Sequence, residues 1–249
     1  MILAAHVTKL LPRINVNKSP QPVMQASQEF NFQCRDCPRL SDFLDQVLLD
    51  HPDYYARPVP SFGSDQPELL VVGLAPGMHG ANRTGRPFTG DHAGVLLYQM
   101  LHDYGFASVN ESLSATDGLE LPAARITNAV KCLPPQNKPT GAEIRNCNPY
   151  LLAEIKAKQP TVMLALGRIA HEAVLRALEL KLKDWSFGHG AEHRLPGGYL
   201  LIDSYHCSRY NLNTKRLTES MFRDVFERCR ELIDLDLSPD LPVVETDGG

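Results

Sequence analysis

The amino-acid sequence predicts an α/β fold with a mostly parallel sheet. Four short apolar runs are bounded by turn residues, as expected for strands that are buried on both faces. Helical patterns alternate with these runs, which is typical of the connections in a parallel sheet. Hydrophobic residues make up 43% of the 249 residues, enough to bury a core in one large or two small domains. The predicted strands are residues 68–74, 124–130, 161–166 and 199–203.

Helices are predicted before the first strand and after each of the four strands. Apolar residues recur at helical spacing in the first of them. Thr140 and Glu143 form a capping-box pattern, and Gly167 turns the chain from the third strand into the next helix. The predicted helices are residues 40–48, 94–105, 141–158, 168–180 and 217–232.

Polar and proline-containing sequence flanks this pattern at both ends. We expect residues 1–33 to form a peripheral segment, residues 34–232 to form one domain, and residues 233–249 to be a disordered tail. The opening stretch MILAAHVTKLLPR has no basic region before its apolar run and no clear small-residue cleavage site, so we do not interpret it as a signal peptide. No run reaches the ~18–20 apolar residues of a membrane span. We therefore expect a cytoplasmic protein without a membrane anchor.

The charge balance argues against a strong overall attraction to nucleic acid. There are 25 basic and 29 acidic residues, a formal net charge of −4. A local basic face remains compatible with this balance, because binding depends on where the charges lie.

Four of the six cysteines form a pattern that indicates metal binding. Cys34 and Cys37 form a C-x-x-C pair, Cys132 follows a strand, and Cys147 lies on the next helix. In a reducing compartment, clustered cysteines bind metal more often than they form disulfides. Four thiolates suit either tetrahedral zinc or an iron–sulfur cluster, and the spacing leaves both open. The remaining two, Cys207 and Cys229, are expected to be small apolar core residues.

Three of the four strand ends lead into unusual polar sequence. These stretches are GLAPGMHGANRTGRPFTGD, NAVKCLPPQNKPT and SYHCSRYN. Parallel α/β sheets bind ligands beyond the carboxyl ends of their strands, so the three loops are expected to meet at one site. The turn at residues 73–77 lacks both common phosphate-loop patterns, and its small residues instead allow a flat ligand to approach the backbone.

Four side chains in these loops offer chemistry suited to a flat, polar ring. Phe88 provides an aromatic face, and the amide of Asn128 can both donate and accept hydrogen bonds, as needed to read a pyrimidine edge. His206 can stabilise an anion, and Asp91 can orient a water molecule.

At this point the sequence resembles a known family, the iron–sulfur branch of the uracil-DNA glycosylase superfamily, and within it family 5, or type b. Three blocks carry the resemblance: GLAPGMHGANRTGRPFTGD at 73–91, CLPPQNKPTGAEIRNC at 132–147, and SYHCSRYNLNTKRLT at 204–218. The first block is long and specific. With the C-x-x-C pair, the resemblance extends from about residue 30 to 232, so the predicted domain 34–232 is interpreted as a uracil-DNA glycosylase domain.

The resemblance implies a three-layer α/β/α sandwich around a four-stranded, mostly parallel sheet. It implies a structural [4Fe–4S] cluster on Cys34, Cys37, Cys132 and Cys147. It also implies a monofunctional hydrolase that cleaves the N-glycosidic bond of uracil, and of other deaminated bases such as hypoxanthine, in damaged double-stranded DNA and leaves an abasic site. One core and a DNA substrate favour a monomer.

The resemblance also assigns site residues. Asp91, His206 and Asn128 are the expected catalytic group. The expected base-binding residues are Gly73, Ala75, Gly77, Met78, His79, Phe88 and Asn128. The expected DNA-contacting residues, which would form a basic rim with one hydroxyl, are Arg83, Arg86, Lys138, Ser208, Arg209, Lys215 and Arg216.

Three positions bear on specificity. Leu74 and Ala75 stand where related families carry a polar catalytic residue, which leaves Asp91 as the water-orienting carboxylate and goes with a less discriminating pocket. Met78 replaces the alanine that the family usually has, and we expect its bulk to change which bases fit. Cys207 replaces a proline, and we expect a looser loop that wedges the duplex.

Other functions remain possible from the sequence. A type a iron–sulfur uracil-DNA glycosylase with narrower specificity is the nearest. A cluster protein that binds uracil-containing or abasic DNA without cleaving it, and a zinc-stapled binding module, are the others.

Overall fold

The computed structural model describes residues 30–236 and contains seven helices and six strands in that range. Most of the predicted peripheral segment and disordered tail, residues 1–29 and 237–249, lies outside the described residues. The helices are α1 Pro38–Asp50, α2 Ala81–Thr84, α3 His92–Asp103, α4 Gly141–Lys158, α5 Arg168–Ala177, α6 Arg209–Asn213 and α7 Glu219–Asp236. The strands are β1 Phe62–Gly63, β2 Leu69–Gly73, β3 Ala124–Asn128, β4 Val162–Leu166, β5 Glu192–Arg194 and β6 Leu200–Ser204.

The strands form a single sheet in the order β1-β3-β2-β4-β6-β5. The central four, β3, β2, β4 and β6, are parallel. They are the four strands predicted from the apolar runs, and their bounds lie within about two residues of the predicted ones. The two edge strands pair antiparallel with β3 and β6 and were not predicted. They have two and three residues, too few to show a periodic pattern. The sheet therefore has six strands rather than four.

The alternating side chains of β2 show the three layers. Leu69 and Val71 pack toward one core, which is completed by residues of α3 and α7. Leu70 and Val72 pack toward the other, with residues of α1, α4 and α5. All five residues of β2 are buried, as the continuous apolar run predicts. The predicted α/β/α sandwich is confirmed.

The order of the strands creates a crevice at one end of the sheet. From β2 the chain goes first to β3 on one side and then crosses to β4 on the other side. Loops that follow β2 and β4 therefore separate at the carboxyl ends of these strands, which is where open α/β sheets bind ligands. The capping box at Thr140 is present, with both reciprocal bonds to Glu143, and fixes the start of α4 at the predicted residue.

The last predicted helix ends later than expected. Helix α7 runs to Asp236, four residues beyond the predicted end, and Ile233 on it is buried in the core. In the part of the chain that the structure describes, no helix has the length and apolarity that crossing a membrane requires.

Candidate active site

A cavity of about 420 Å³ opens at the carboxyl ends of all four parallel strands. The predicted meeting of three strand-end loops is confirmed, and the end of β4 joins them. The lining residues come from the segments that follow β2, β3, β4 and β6. They are Leu74, Ala75, Gly77, Ala81, Phe88, Asp91, Ala93, Asn128, Asn137, Leu166, Gly167, Arg168, Ile169, His206 and Ser208.

Gly73 allows Asn128 and Phe88 to lie against the end of β2. Gly73 and Asn128 are register partners on adjacent parallel strands. A β-carbon on residue 73 would lie 2.4 Å from Oδ1 of Asn128 and 2.8 Å from the ring of Phe88, distances that real contacts do not reach. Gly73 itself does not line the cavity, but the side chains of Asn128 and Phe88, which do line it, pack against Gly73.

The amide of Asn128 is the clearest recognition group in the cavity. Asn128 is 3% exposed, and its Oδ1 is buried without a hydrogen-bond partner among the described residues. A buried carbonyl oxygen without a donor costs free energy, so a ligand that supplies an N–H is favoured there. Phe88, which is held with a left-handed backbone (φ 53°), lies beside it.

His206 lies nearly parallel to Phe88. The ring centroids are 5.9 Å apart and the planes make an angle of 26°. Nδ1 of His206 is buried without a partner among the described residues, and burial lowers the pKa of His206 to about 4. At neutral pH the imidazole is therefore uncharged, with one N–H donor and one acceptor nitrogen.

The backbone around His206 is tied to its surroundings. Asn211 donates from Nδ2 to the carbonyl oxygen of His206 at 2.8 Å, and the buried thiol of Cys207 lies 3.4 Å from the carbonyl oxygen of Ala93 at the start of α3. We expected the replacement of proline by Cys207 to loosen this loop. The structure instead packs Cys207 into the core, which anchors the loop to α3.

Asp91 has two roles in the geometry. It is the N-cap of α3, and Oδ1 accepts a hydrogen bond from the backbone N–H of Gly94 at 2.9 Å. It also lines the cavity, with Oδ2 directed toward Gly77 and Gly80. Burial raises the pKa of Asp91, and the backbone N–H groups of Gly94 and Ala93 partly offset that rise.

Two predicted base-binding residues lie away from the cavity. Met78 packs instead on a small cluster that includes Leu44 and Val47 of α1. His79 is exposed, with Nδ1 2.8 Å from the hydroxyl oxygen of Tyr54. The bulk of Met78 therefore does not narrow the described cavity, contrary to our expectation that it changes which bases fit.

Arg86 does not belong to the predicted basic rim. The residue is 4% exposed, and its guanidinium donates to Asp117 at 2.6 Å, to Ser112 at 2.7 Å and to Thr89 at 2.9 Å. The carboxylate of Asp117 compensates the positive charge of Arg86. Burial opposes ionisation of this carboxylate, but the guanidinium and three backbone N–H groups hold its pKa well below the usual range. A guanidinium with these bonds stabilises the loop and is not free to contact a phosphate.

None of the other predicted rim residues is buried. Ser208 lines the cavity and caps α6. The basic ones are all exposed: Arg83 on α2, Arg209 on α6, and Lys138, Lys215 and Arg216 outside the helices and strands.

Sequence reasoning did not assign several of the lining residues, among them Asn137, Arg168 and Ile169. Asn137 follows β3 within the PQNKPT stretch, and Arg168 and Ile169 begin α5 just after Gly167. The strand end at Gly167 carried a usable signal, because a ligand site at one end of a parallel sheet involves every strand end there.

The four cysteines Cys34, Cys37, Cys132 and Cys147 line a second cavity, at the junction of α1, the loop after β3, and α4. Asn146 donates to the sulfur of Cys37 at 3.6 Å, and the backbone N–H of residue 131 donates to the sulfur of Cys147 at 3.3 Å. N–H donors of this kind are typical of thiolates that ligate iron.

The four cysteine sulfurs are not gathered as closely as the ligands of a single ion. Within residues 30–236, the group of three potential ligand atoms that lie within 4.8 Å of one another belongs to His171, His193 and Asp203, and no set of the cysteines forms such a group. Burial and the neighbouring thiols raise the pKa of Cys132, so ionised thiolates there need a compensating positive charge. The residues present thus fit an iron–sulfur cluster.

Comparison with known proteins agrees with this geometry. The family model described as "Uracil DNA glycosylase superfamily" matches residues 60–230, a range that includes all six strands of the sheet. The chain belongs to the uracil DNA glycosylase superfamily. The match begins after the C-x-x-C pair and ends within α7, so superfamily membership rests on the domain that forms the first cavity.

Comparison with individual members of the superfamily indicates which of its branches this chain resembles. It is 46% identical over 208 residues to a protein from Thermus thermophilus named type-5 uracil-DNA glycosylase, covering 81% of this chain and 94% of that one. A type-5 uracil-DNA glycosylase from Pyrobaculum aerophilum is 40% identical over 200 residues, 79% of this chain and 87% of that one. A type-4 enzyme from Archaeoglobus fulgidus is 32% identical over 177 residues, 69% and 81% of the two chains. The predicted resemblance to the type-5 branch is confirmed.

Proposed function

We propose that this protein excises uracil from DNA by hydrolysing the N-glycosidic bond and leaves an abasic site. The observation that carries the proposal is one cavity in which an unpartnered buried amide, an aromatic ring, a neutral imidazole and a half-buried carboxylate converge. The similarity to proteins named type-5 uracil-DNA glycosylase supports the same reaction. A base must leave the duplex to enter such a cavity, at an unstacking cost of a few kcal/mol.

Recognition of the base is assigned to Asn128 and Phe88. Uracil presents an N–H flanked by two carbonyl oxygens on one edge. Oδ1 of Asn128 would accept from that N–H, and Nδ2 would donate to a neighbouring carbonyl. Phe88 would stack on the ring face. Cytosine has an unprotonated nitrogen in place of the N–H, so it would leave Oδ1 unpaired, which is the basis for discrimination.

His206 would stabilise the departing base. As the glycosidic bond breaks, uracil leaves as an anion with charge on the oxygen next to the bond. Because the imidazole is already neutral and its site is already buried, its N–H can donate to that oxygen without first losing a charge or bound water. The lowered pKa of about 4 keeps the ring in this state at neutral pH.

Asp91 would act on the sugar side of the reaction. The breaking bond leaves positive charge on the sugar, and a carboxylate nearby favours that charge and can orient the attacking water. Helix capping holds Oδ1 in place, while Oδ2 faces the small residues Gly77 and Gly80. Leu74 and Ala75 line the cavity without offering a competing polar group.

We also propose a range of bases wider than uracil, including hypoxanthine. The cavity of about 420 Å³ has mostly small and apolar residues on the side of Ala75, Gly77 and Ala81. Few polar groups there would reject a larger purine.

A [4Fe–4S] cluster held by the four cysteines Cys34, Cys37, Cys132 and Cys147 is part of the proposal. When bound, it would supply a structural cross-link between chain segments. These cysteines belong to the start of α1, the loop after β3, and α4. The loop after β3 also provides Asn137 to the base cavity, so its position bears on catalysis.

Double-stranded DNA is the proposed partner, bound by the protein as a monomer in the cytoplasm. The exposed basic residues of the predicted rim would contact phosphates. Tyr210, which is 71% exposed on α6 just beyond Ser208, would fill the gap that the flipped base leaves.

A release assay on a panel of oligonucleotides tests the proposal. The substrates are duplexes with uracil opposite guanine or adenine, single-stranded uracil DNA, and a hypoxanthine duplex. We expect uracil release, alkali-dependent strand cleavage, and no cleavage without alkali. Binding to uracil DNA without release from any substrate would instead support the non-catalytic function. Purified protein with one zinc and no iron would support the zinc-stapled module.

A further inference from the structure

A groove of about 260 Å³ adjoins the base cavity and carries two unpaired arginines. It shares Gly167, Arg168 and His206 with the base cavity and extends past Tyr205 to Arg216. Its remaining lining residues are Phe187, Gly188 and Asn211. Among the described residues, the lining of the groove contains two guanidiniums and no carboxylate, which makes this lining positively charged.

Each arginine rests on an aromatic ring. The guanidinium carbon of Arg168 lies 5.6 Å from the ring centroid of Phe187, and that of Arg216 lies 4.8 Å from the ring centroid of Tyr205. Within residues 30–236, neither guanidinium has a hydrogen bond or an ion pair with another residue. Stacking restricts the side chains and leaves their N–H donors free, an arrangement suited to a phosphate.

The wall that carries Phe187 is fixed by a buried network around Asp203. The backbone N–H of Gly188 donates to Asp203 at 3.3 Å, and His193 lies 3.0 Å from the same carboxylate. His171 connects the network to the carbonyl oxygen of Trp185 at 3.1 Å through Nε2 and to Asp203 at 2.8 Å through Nδ1.

Burial by itself would lower the pKa of His171, but the hydrogen bond to Asp203, the charge of that carboxylate and the hydrogen bond to Trp185 raise it on balance. The contacts of His171 with Asp203 and with the carbonyl oxygen of Trp185 hold residues 185–188 in place against β6, and with them the ring beneath Arg168.

We infer that this groove binds one phosphodiester of the damaged strand, beside the nucleotide whose base enters the cavity. The inference rests on the proposed function. A base in the cavity places its own backbone at the cavity mouth, and Arg168 belongs to both lining sets. The two guanidiniums that line the groove would hold that phosphate and fix the sugar in front of Asp91.

The first test measures how DNA binding depends on salt. The probe is a duplex with a tetrahydrofuran abasic analogue, which binds without being cleaved. In the variant Arg168→Ala/Arg216→Ala we expect a dissociation constant about tenfold higher at low salt and a log–log salt slope reduced by about 1. The exposed Arg194→Ala on β5 is the matched control and should change neither quantity.

The second test locates the phosphate. Individual linkages around the analogue are replaced by uncharged methylphosphonates. We expect that neutralising one linkage next to the analogue weakens DNA binding by the wild type about tenfold. The same neutral linkage should weaken DNA binding by the double alanine variant less than about twofold. Arg168→Lys/Arg216→Lys should keep the salt slope, because it keeps both charges.

Several results would overturn the inference. One such result is a double alanine variant that binds DNA with the same affinity and salt slope as the wild type. Another is that every neutral linkage weakens DNA binding equally in both proteins. If the double alanine variant kept the wild-type salt slope, and if inorganic phosphate inhibited DNA binding by the wild type alone, the groove would be assigned to a free anion. Because the probe contains no uracil, these outcomes are independent of base release, and failure of release would count against the proposed function alone.

Discussion

A β-carbon on Gly80 would lie 2.3 Å from Oδ2 of Asp91. Glycine at position 80 is thus what allows this carboxylate to lie against the loop after β2 while its other oxygen caps α3. One side chain serves both helix stability and, in our proposal, the reaction. Variants of Asp91 can separate these two functions.

Replacing Asp91 with asparagine should abolish most activity without loss of stability. Asparagine retains a cap oxygen, whereas alanine removes the cap at a cost of about 1 kcal/mol. Burial raises the pKa of Asp91, so the stability linked to its protonation is present at acid pH and lost as pH rises through the folded-state pKa. At neutral pH the uncharged Asp91→Asn should therefore melt at or above the wild-type temperature.

Calorimetry and single-turnover kinetics on the two variants measure both effects. Asp91→Ala, with the same chemical defect and no cap, is the matched comparison and should melt lower. Near-wild-type rates in Asp91→Asn would remove the carboxylate from the reaction.

The pH dependence of the single-turnover rate constant should show an acidic limb only. Asp91 acts as an anion, and its raised pKa means that protonation begins above the range of an ordinary aspartate. His206, with a pKa of about 4, stays neutral and adds no limb near neutrality. We expect a constant rate from neutral to mildly alkaline pH and a fall toward acid. The same acidic limb in the residual activity of Asp91→Asn would contradict the assignment.

Arg86→Ala should destabilise the protein rather than weaken its contact with DNA. It leaves the carboxylate of Asp117 without its ion-pair partner, at a cost of about 3 kcal/mol. The exposed Arg209→Ala is the control and should leave the melting temperature unchanged while it lowers DNA affinity. Thermal unfolding and binding at two salt concentrations distinguish the two effects. An unchanged melting temperature for Arg86→Ala would restore this residue to the DNA-contacting rim.

Cys34→Ala should cause loss of iron from the purified protein. Removing one of four ligands exposes the cluster and releases the segment before α1 from the loop after β3. Cys229→Ala is the control, since this buried cysteine on α7 packs in the core. Iron analysis and visible absorption after anaerobic purification measure the difference. Equal iron in both variants would show that Cys34 is not a ligand.

The sequence predicted the parallel centre of the sheet because each of its strands is a continuous apolar run bounded by turns. It predicted α4 to the residue, since a capping box marks the start of that helix. The edge strand at residues 192–194 escaped prediction because it has three residues and no apolar alternation.

The site was predicted where a strand leads directly into it, as at Asn128. The errors concern side chains whose direction depends on distant partners. The charge of Arg86 suggested phosphate binding, but Asp117, 31 positions later, pairs with it. Met78 lies in the matching block, yet the local turn directs it to α1 instead of the cavity.

Identification of the released base is the measurement that tests the central claim most directly. Purified protein in excess is mixed with a duplex carrying one uracil opposite guanine, and the small-molecule fraction is analysed by mass spectrometry. We predict one free uracil per duplex for the wild type and a strongly reduced rate for Asp91→Asn. Intact uracil-containing DNA after prolonged incubation with iron-loaded, folded wild-type protein would contradict the account.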